Sequence, residues 1–246
     1  MTLKLNIIGR RRPGTTLAEH LHYIRKIHGE AVLKYIHEDP HNAPTKYVQN
    51  AVVDGRYRQS QIDTDPFTLN RDFVTQIWVN DFPALERSRS TEFYKTRLKD
   101  DEDQFVDQEN VVFLPCIEHV VAPGGSLAEA AWKVFVLFRR APDANPAEFM
   151  QAWRSTARLA GDLAPRHVQN EVLHLPDRPA PTVDAMDEFW LPNETAAYST
   201  LDAWTSRIER DLIAPRLALA ASIVSLLARE DVVHGGTDGD SRAGGV

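Results

Sequence analysis

The stretch Lys46-Tyr47-Val48-Gln49-Asn50 has a close counterpart later in the chain, Arg166-His167-Val168-Gln169-Asn170. The triplet Val-Gln-Asn is identical in the two stretches and returns after 120 positions (170 − 50). Each stretch has the pattern of a β-strand. A strand that occurs twice in this way indicates that a larger unit of the chain is repeated.

Two further landmarks repeat in the same order along the chain. Thr16 and Glu19 form the capping-box pattern of a helix start, and Asn145 and Glu148 repeat that pattern 129 positions later (145 − 16, 148 − 19). The strand segment that ends in Trp78 is echoed by one that ends in Trp190, at an offset of 112 (190 − 78). Offsets that fall from 129 to 120 to 112 are what two deletions in the second copy would leave.

The periodicity around these landmarks predicts the order β-α-β-β-α-β in each half, which is the ferredoxin-like split βαβ unit. We expect one module at residues 1–122, a second, degenerate one at residues 129–234, and a disordered tail at residues 235–246. A four-stranded sheet with helices on one face leaves its other face bare, and two such sheets in one chain can cover each other. The sequence therefore predicts an α+β fold in which two antiparallel sheets pack as an intrachain α/β barrel around a cavity.

Composition narrows the classes of partner. The formal net charge of −7 argues against a nucleic-acid surface, and no apolar stretch approaches the length of a membrane span. Cys116 is the only cysteine, so an internal disulfide is excluded, which fits a reducing compartment. The first apolar run is too short for a signal peptide, and the basic residues follow this run, whereas in a signal peptide they precede it. These features predict a cytoplasmic protein with neither a nucleic acid nor a membrane as its partner.

Taken together, the motifs resemble the EthD-type dimeric α/β-barrel family. In that family the first helix carries a His four residues after a Trp. Here Ile24 stands at the Trp place and His28 keeps the His place, whereas the second half has Trp153 and then Ala157. The resemblance rests on Arg10, Pro13, Ala18-Glu19, Tyr23-Ile24-Arg25-Lys26-Ile27-His28, Tyr47-Val48-Gln49-Asn50, Ile77-Trp78, Phe105-Val106-Asp107 and, in the second half, Phe149.

The resemblance implies a function as well as a fold. Members normally associate in pairs, so a fused pair implies an internal pseudo-dimer, with association into a homodimer left open. The activities of the family need no cofactor and include lactone isomerisation, polyketide cyclisation or decarboxylation and small monooxygenases, with roles near ether degradation. We expect a cofactor-independent enzyme of cyclase, isomerase, dehydratase or decarboxylase type, which acts on a small aromatic, lactone or polyketide-like substrate by proton transfer. The alternatives are a non-catalytic ligand-binding or accessory protein and a cofactor-free monooxygenase.

His28 is the predicted catalytic acid/base, because an imidazole can exchange protons near neutral pH. The competing interpretation is a hydrogen-bonded core histidine, since His28 falls on the apolar stripe of its helix. Loss of the His in the second half favours one working site. The candidates for substrate binding, each of which also has an ordinary structural interpretation, are Tyr47, Asn50, Gln76, Trp78, His167, Glu188 and Trp190. Gln76 shares a strand face with Trp78, Glu188 with Trp190 and Tyr47 with Gln49, but alternation alone leaves open which face lines the cavity.

Other site chemistries lack a sequence signal. No set of Cys, His and carboxylate residues has metal-ligand spacing, so no metal is expected. Neither a Gly-rich phosphate loop nor a Gly-x-Ser-x-Gly elbow is present. Arg10 and Arg139 each close a first strand and could bind a carboxylate, but a solvated strand end is the favoured interpretation.

Overall fold

A computed structural model describes residues 2–59, 65–124, 132–158, 163–175 and 179–235 of the chain. The predicted tail, apart from residue 235, lies outside the described residues. Among the described residues, no helix is both long enough and apolar enough to cross a membrane. The strands are β1 Leu3–Gly9, β2 Lys46–Arg56, β3 Phe73–Val79, β4 Val112–Pro123, β5 Trp132–Phe138, β6 Arg166–Val172, β7 Ala185–Leu191 and β8 Val224–His234.

The described residues also form six α-helices, and three π-helical turns adjoin them. The helices are α1 Leu17–His22, α2 Gly29–Glu38, α3 Phe82–Ser90, α4 Lys99–Glu102, α5 Pro146–Arg158 and α6 Glu194–Ile208. The π-helical turns are Tyr23–His28 between α1 and α2, Tyr94–Leu98 before α4, and Glu209–Ile213 after α6. Short 3₁₀ turns occur at Pro66–Thr68, Gln108–Asn110 and Ala220–Ser222.

The strands join into a closed barrel in the order β1-β3-β2-β8-β5-β7-β6-β4. β3 lies antiparallel between β1 and β2, and β7 lies antiparallel between β5 and β6. The prediction of an α+β barrel is therefore confirmed. Alternation of large apolar residues with polar ones along short strands made this fold readable from the sequence.

Contacts divide the chain into two compact units. Among the described residues, unit 1 consists of residues 2–51, 71–115 and 230–235, and unit 2 of the described residues within 52–70 and 116–229. Unit 2 packs a large core around two fully buried tryptophans, Trp153 of α5 and Trp204 of α6. Unit 1 has smaller apolar clusters, one around Tyr35 and one around Phe105.

Local capping explains where the helices begin. Thr16 accepts a hydrogen bond from the Glu19 backbone N–H and Glu19 bonds back to Thr16, so the predicted capping box is confirmed. Asn145 Oδ1 accepts from the backbone N–H groups of residues 147 and 148 at the start of α5. Asp81 caps α3 through the N–H of Ala84. Each cap satisfies N–H groups that the first helical turn leaves without a partner.

The charge pattern of this region predicts one helix from Asp81 to about Lys99, but the structure interrupts it, so that prediction is wrong. Thr91 takes an extended conformation, with φ −64° and ψ 152°, which ends α3. Its hydroxyl donates to the Ser88 carbonyl and accepts from the Tyr94 N–H, so one side chain closes the first helix and starts the next turn. The break redirects the chain so that α4 follows as a separate short helix.

Candidate functional site

A π-helical turn, Tyr23–His28, interrupts the first helix of unit 1. The Ile24 carbonyl accepts from the Gly29 N–H five residues on, and also from Gln49 Nε2 at 2.7 Å. A Cβ at Gly29 would lie 3.1 Å from the Ile24 oxygen and 3.2 Å from Gln49 Nε2, so the close approach favours glycine. π-Turns are often found at functional sites. Gln49 thus holds the turn that carries His28.

His28 forms a hydrogen-bonded pair with Asp101, which lies in the short helix α4. Its Nδ1 lies 2.8 Å from Asp101 Oδ2, and Tyr23 donates to the other carboxylate oxygen at 2.7 Å. A carboxylate only accepts, so Nδ1 carries the hydrogen and the lone pair of a neutral imidazole is on Nε2. No described residue hydrogen-bonds to Nε2. The ring is nearly buried, with 8% of the residue exposed, and packs 4.8 Å from the Phe105 ring centroid.

Two adjoining cavities open between the helices and the sheet of unit 1. Each cavity is partly open to solvent, and the volumes of about 430 and 540 Å³ include that open part. The first is largely apolar and the second contains three tyrosines. Both are lined by Ile7, His28, Thr75, Arg89 and Glu102; the first also by Phe73, Phe105 and Phe113, and the second by Tyr35, Tyr47 and Tyr94.

The tyrosines of this region are hydrogen-bond donors over the neutral pH range. Tyr47 accepts from Gln49 Nε2 at 2.8 Å, which leaves its own hydroxyl hydrogen without a partner among the described residues. Burial raises the pKa of the Tyr47 phenol. Burial, together with a neighbouring carboxylate, also raises the pKa of Tyr23 and of Tyr94 to about 12. Tyr47 can therefore donate a hydrogen bond to a carbonyl or phenolate oxygen in the cavity.

The adjacent carboxylates Asp101 and Glu102 are shifted in opposite directions. Burial acts to raise the pKa of Asp101, but hydrogen bonds from His28 and Tyr23 outweigh it and the pKa is lowered. Burial is dominant for Glu102 and raises its pKa, although His28, Arg89 and the Tyr94 hydroxyl act against it. Two neighbouring acids with opposite shifts are a common arrangement where one group stays ionised and another exchanges protons.

The residues of this pocket lie in a segment that matches a known protein family. Residues 12–109 match the model of the EthD domain family. Residues 12–109 are called the EthD domain below, after the family model that they match. Every hydrogen-bonding side chain of the pocket described above lies within the EthD domain, from Tyr23 to Glu102. The predicted resemblance is confirmed for this part of the chain.

Solved structures share the fold over nearly the whole chain. An anthrone oxidase-like protein has 13% sequence identity and a TM-score of 0.57, with 94% of this chain and 93% of that chain covered. A protein from Lactobacillus acidophilus with a provisional monooxygenase assignment has 10% identity and a TM-score of 0.54, with 96% of this chain and 97% of that chain covered. Chlorite dismutase from Candidatus Nitrospira defluvii, solved with imidazole, has 7% identity and a TM-score of 0.51, with 94% of this chain and 92% of that chain covered. At such identities the likeness concerns the fold alone. No curated protein matches the sequence significantly.

The predicted site residues of the EthD domain fall on two faces of its sheet. His28 and Tyr47 line the same cavity. Asn50, Gln76 and Trp78 lie on the opposite face. There Asn50 Nδ2 donates to Gln76 Oε1 at 3.3 Å, Gln76 Nε2 donates to Asn6 Oδ1 at 2.7 Å, and Lys4 Nζ lies 4.9 Å from the Trp78 ring centroid.

Unit 2 separates its three predicted residues in the same way. His167 faces the helices, where its Nε2 lies 2.8 Å from Asp187 Oδ1, and the indoles of Trp153 and Trp204 donate to Asp187 Oδ2 at 2.9 and 3.2 Å. Glu188 and Trp190 lie on the other face: Lys133 Nζ is 3.0 Å from Glu188 Oε2 and 4.2 Å from the Trp190 ring centroid. In unit 2, tryptophan rings and a fully hydrogen-bonded aspartate therefore occupy the space between helices and sheet.

The pocket residues not predicted from the sequence are Asp101, Glu102, Tyr94 and Arg89. Asp101 and Glu102 belong to an acidic run, residues 100–103, that looks like a solvated helix end. Asp100 and Asp103 are indeed exposed, while the two central residues are half-buried. Within the described ranges, no three His, Cys, Asp or Glu side chains cluster closely enough to hold a metal ion.

Proposed function

We propose that the EthD domain pocket is the active site of an enzyme that removes a proton from an enolisable small aromatic, lactone or polyketide-like substrate. The observation that supports this proposal is the orientation of His28. Its Nδ1 is held 2.8 Å from Asp101, and its Nε2, without a partner among the described residues, belongs to a ring that lines both cavities. A base held in one tautomer by a carboxylate is an arrangement suited to general acid/base catalysis.

Each pocket residue has a role in this proposal. His28 Nε2 takes a proton from a carbon whose C–H bond the conjugated substrate carbonyl makes acidic, and Asp101 stabilises the imidazolium that results. The Tyr47 hydroxyl donates to the carbonyl oxygen, where negative charge develops. Phe73, Phe105 and Phe113 surround the ring system of the substrate and exclude water. These steps require only side chains of the chain itself, in keeping with the cofactor-free activity that the family resemblance implies.

Cofactor-free oxygenation is a second candidate, and the structural neighbours favour it. One of them is named for anthrone oxidation and another for a monooxygenase activity. Removal of a proton from an anthrone gives an electron-rich anion that can react with dioxygen, so the first step would again belong to His28. A non-catalytic ligand-binding role would use the same pocket without turnover.

Anthrone itself separates the three functions. We expect the protein to accelerate exchange of the C10 hydrogens of anthrone with deuterium from solvent, measured by NMR, and we expect His28→Gln to lose this activity while its fold is unchanged by circular dichroism. Oxygen uptake, followed with an electrode, would identify the oxygenase. Saturable binding by the folded protein with neither exchange nor oxygen uptake would identify the binding protein.

We further propose that residues 129–234 are a degenerate copy of the EthD domain and that the chain has one working site. Gln169 Nε2 donates to the Trp153 carbonyl at 3.2 Å, and Gln49 Nε2 donates in the same way to the Ile24 carbonyl. Ile24 and Trp153 are 129 positions apart (153 − 24), which is the offset of the two helix starts. At the place of His28 stands the buried Ala157. The internal pairing of two modules, and any association of two chains into a homodimer, are part of this proposal. Replacement of His28 alone should accordingly abolish deuterium exchange.

A further inference from the structure

Glu102 contributes a second titratable group to the pocket that the steps above do not use. It lines both cavities together with His28, although it lies on a different helix. Its Oε1 accepts from the Tyr94 hydroxyl at 3.3 Å. No described residue hydrogen-bonds to its Oε2, so one carboxyl oxygen is available to a ligand.

The environment of Glu102 sets it apart from the other acids of its segment. Asp100 and Asp103 are exposed, and Asp101 is occupied on both oxygens by His28 and Tyr23. Glu102 receives only the phenol of Tyr94; His28 and the exposed Arg89 act to lower its pKa, and the charge of Asp103 acts with burial to raise it. A partly buried carboxyl group with so little compensation tends to keep its proton to higher pH than an exposed one.

We propose that Glu102 is the second proton-transferring residue of this pocket, and that it exchanges a proton with the substrate oxygen while His28 exchanges one with the substrate carbon. The inference rests on the proposed function and adds a partner to it. In the forward step the C–H bond breaks and its proton moves to His28 Nε2. The electron pair forms the C=C bond, the carbonyl oxygen takes the proton of the Glu102 carboxyl group, and the substrate becomes its enol.

The step is balanced without another reactant. The substrate loses one proton and gains one, so its charge does not change, while His28 becomes an imidazolium and Glu102 a carboxylate in the same cavity. The opposite charges that form on the enzyme stabilise each other. Return of the two protons, to the same or to another carbon, completes a tautomerisation or an isomerisation. The substrate class that this favours has a carbonyl oxygen and an acidic C–H on one rigid ring system, as anthrone does.

The pH dependence of anthrone exchange tests this pair. The wild-type protein should show a bell-shaped profile of kcat/KM, because one group must be free of its proton and the other must carry one. Glu102→Gln keeps an acceptor for Tyr94 but has no proton to transfer, so we expect a loss of about 100-fold or more and a profile with one limb. Glu102→Asp should restore part of the rate and the second limb. Glu92→Gln, an exposed change nearby, is the control.

The outcomes separate this inference from the proposed function. If His28→Gln abolishes exchange but Glu102→Gln keeps the wild-type rate and both limbs, the assignment of Glu102 is wrong and that of His28 stands. If neither variant changes the exchange rate, the proposed function itself is wrong. A folded Glu102→Gln protein that loses rate but keeps both limbs would also overturn the inference, since that result indicates a merely structural role.

Discussion

Replacement of Asp101 by Asn tests the orientation of His28 most sharply. Asn is nearly isosteric with Asp, and its Oδ1 can still accept from His28 Nδ1 while its Nδ2 faces the Tyr23 hydroxyl. The geometry is therefore retained and the negative charge is removed. What the variant loses is the charge beside the imidazolium that forms when His28 takes a proton.

The size of the effect follows from the pair itself. At 2.8 Å the contact is a charge-assisted hydrogen bond, and such bonds contribute about 1.5–3 kcal/mol. A bare Coulomb energy between unit charges about 4 Å apart, with an effective dielectric constant of about 20, is about 4 kcal/mol. The side chains are 10% and 17% exposed, so solvent screens part of it. We expect the transition state to lose about 1.5–3 kcal/mol, which corresponds to a rate reduced about 10- to 100-fold.

The assay is the rate of deuterium exchange at C10 of anthrone, compared between wild type, Asp101→Asn and the exposed neighbour change Asp100→Asn. Asp100→Asn should exchange at the wild-type rate, because Asp100 is exposed and forms no part of the pocket. An Asp101→Asn protein that is folded and exchanges within twofold of wild type would show that the carboxylate does not support His28, and the reasoning would fail.

Three further predictions concern stability. Gly29→Ala should destabilise the protein by about 1 kcal/mol or more in urea unfolding. The new Cβ would lie only 3.1 Å from the Ile24 carbonyl oxygen and 3.2 Å from Gln49 Nε2. Gly→Ala within a helix usually stabilises a protein, so a gain of stability would contradict the described π-turn. Asp187→Ala should lower the free energy of unfolding by about 3 kcal/mol or more, since it leaves the buried nitrogen donors of His167, Trp153 and Trp204 without their acceptor. The control Asp202→Asn, which removes an exposed ion pair, should change the free energy of unfolding little. Glu102→Gln should be more stable than wild type, and the difference in the free energy of unfolding should grow with pH. Folding raises the pKa of Glu102 above its unfolded value of about 4.5. The wild-type protein therefore loses stability as the pH rises from about 4.5 through the folded pKa. Thermal unfolding at pH 4 and pH 8 measures this difference, and equal midpoints of the two proteins at both pH values would contradict the burial of Glu102.

Local signals in the sequence predicted the barrel and the helix starts. Thr16 and Asn145 cap their helices as the sequence predicts, because a side-chain oxygen at the start of a helix accepts from N–H groups of the first turn. Strand alternation predicted which residues share a face, so Tyr47 and Gln49 are found together, as are Gln76 and Trp78. Alternation has no direction, however, and only the bond from Gln49 to Ile24 shows that Tyr47 faces the helices.

The completed site was beyond such signals. His28 was identified through the family pattern, but its partner Asp101 lies 73 positions away in an acidic run whose outer members are solvated. The π-turn that carries His28 depends on the side chain of Gln49, from a different element, and periodicity along one helix does not reveal it. The break at Thr91 was missed because Thr is acceptable both within a helix and as a cap.

A crystal structure with anthraquinone-2-sulfonate tests the central claim most directly. This soluble compound has the ring system of an anthrone but cannot be enolised, so it would remain bound unchanged. We predict that its rings lie between Phe105 and Tyr47, with a ring carbon about 3–3.5 Å from His28 Nε2, the distance of a reactive arrangement. A ligand bound at saturating concentration only outside the EthD domain pocket, without contact to His28 Nε2, would contradict the account.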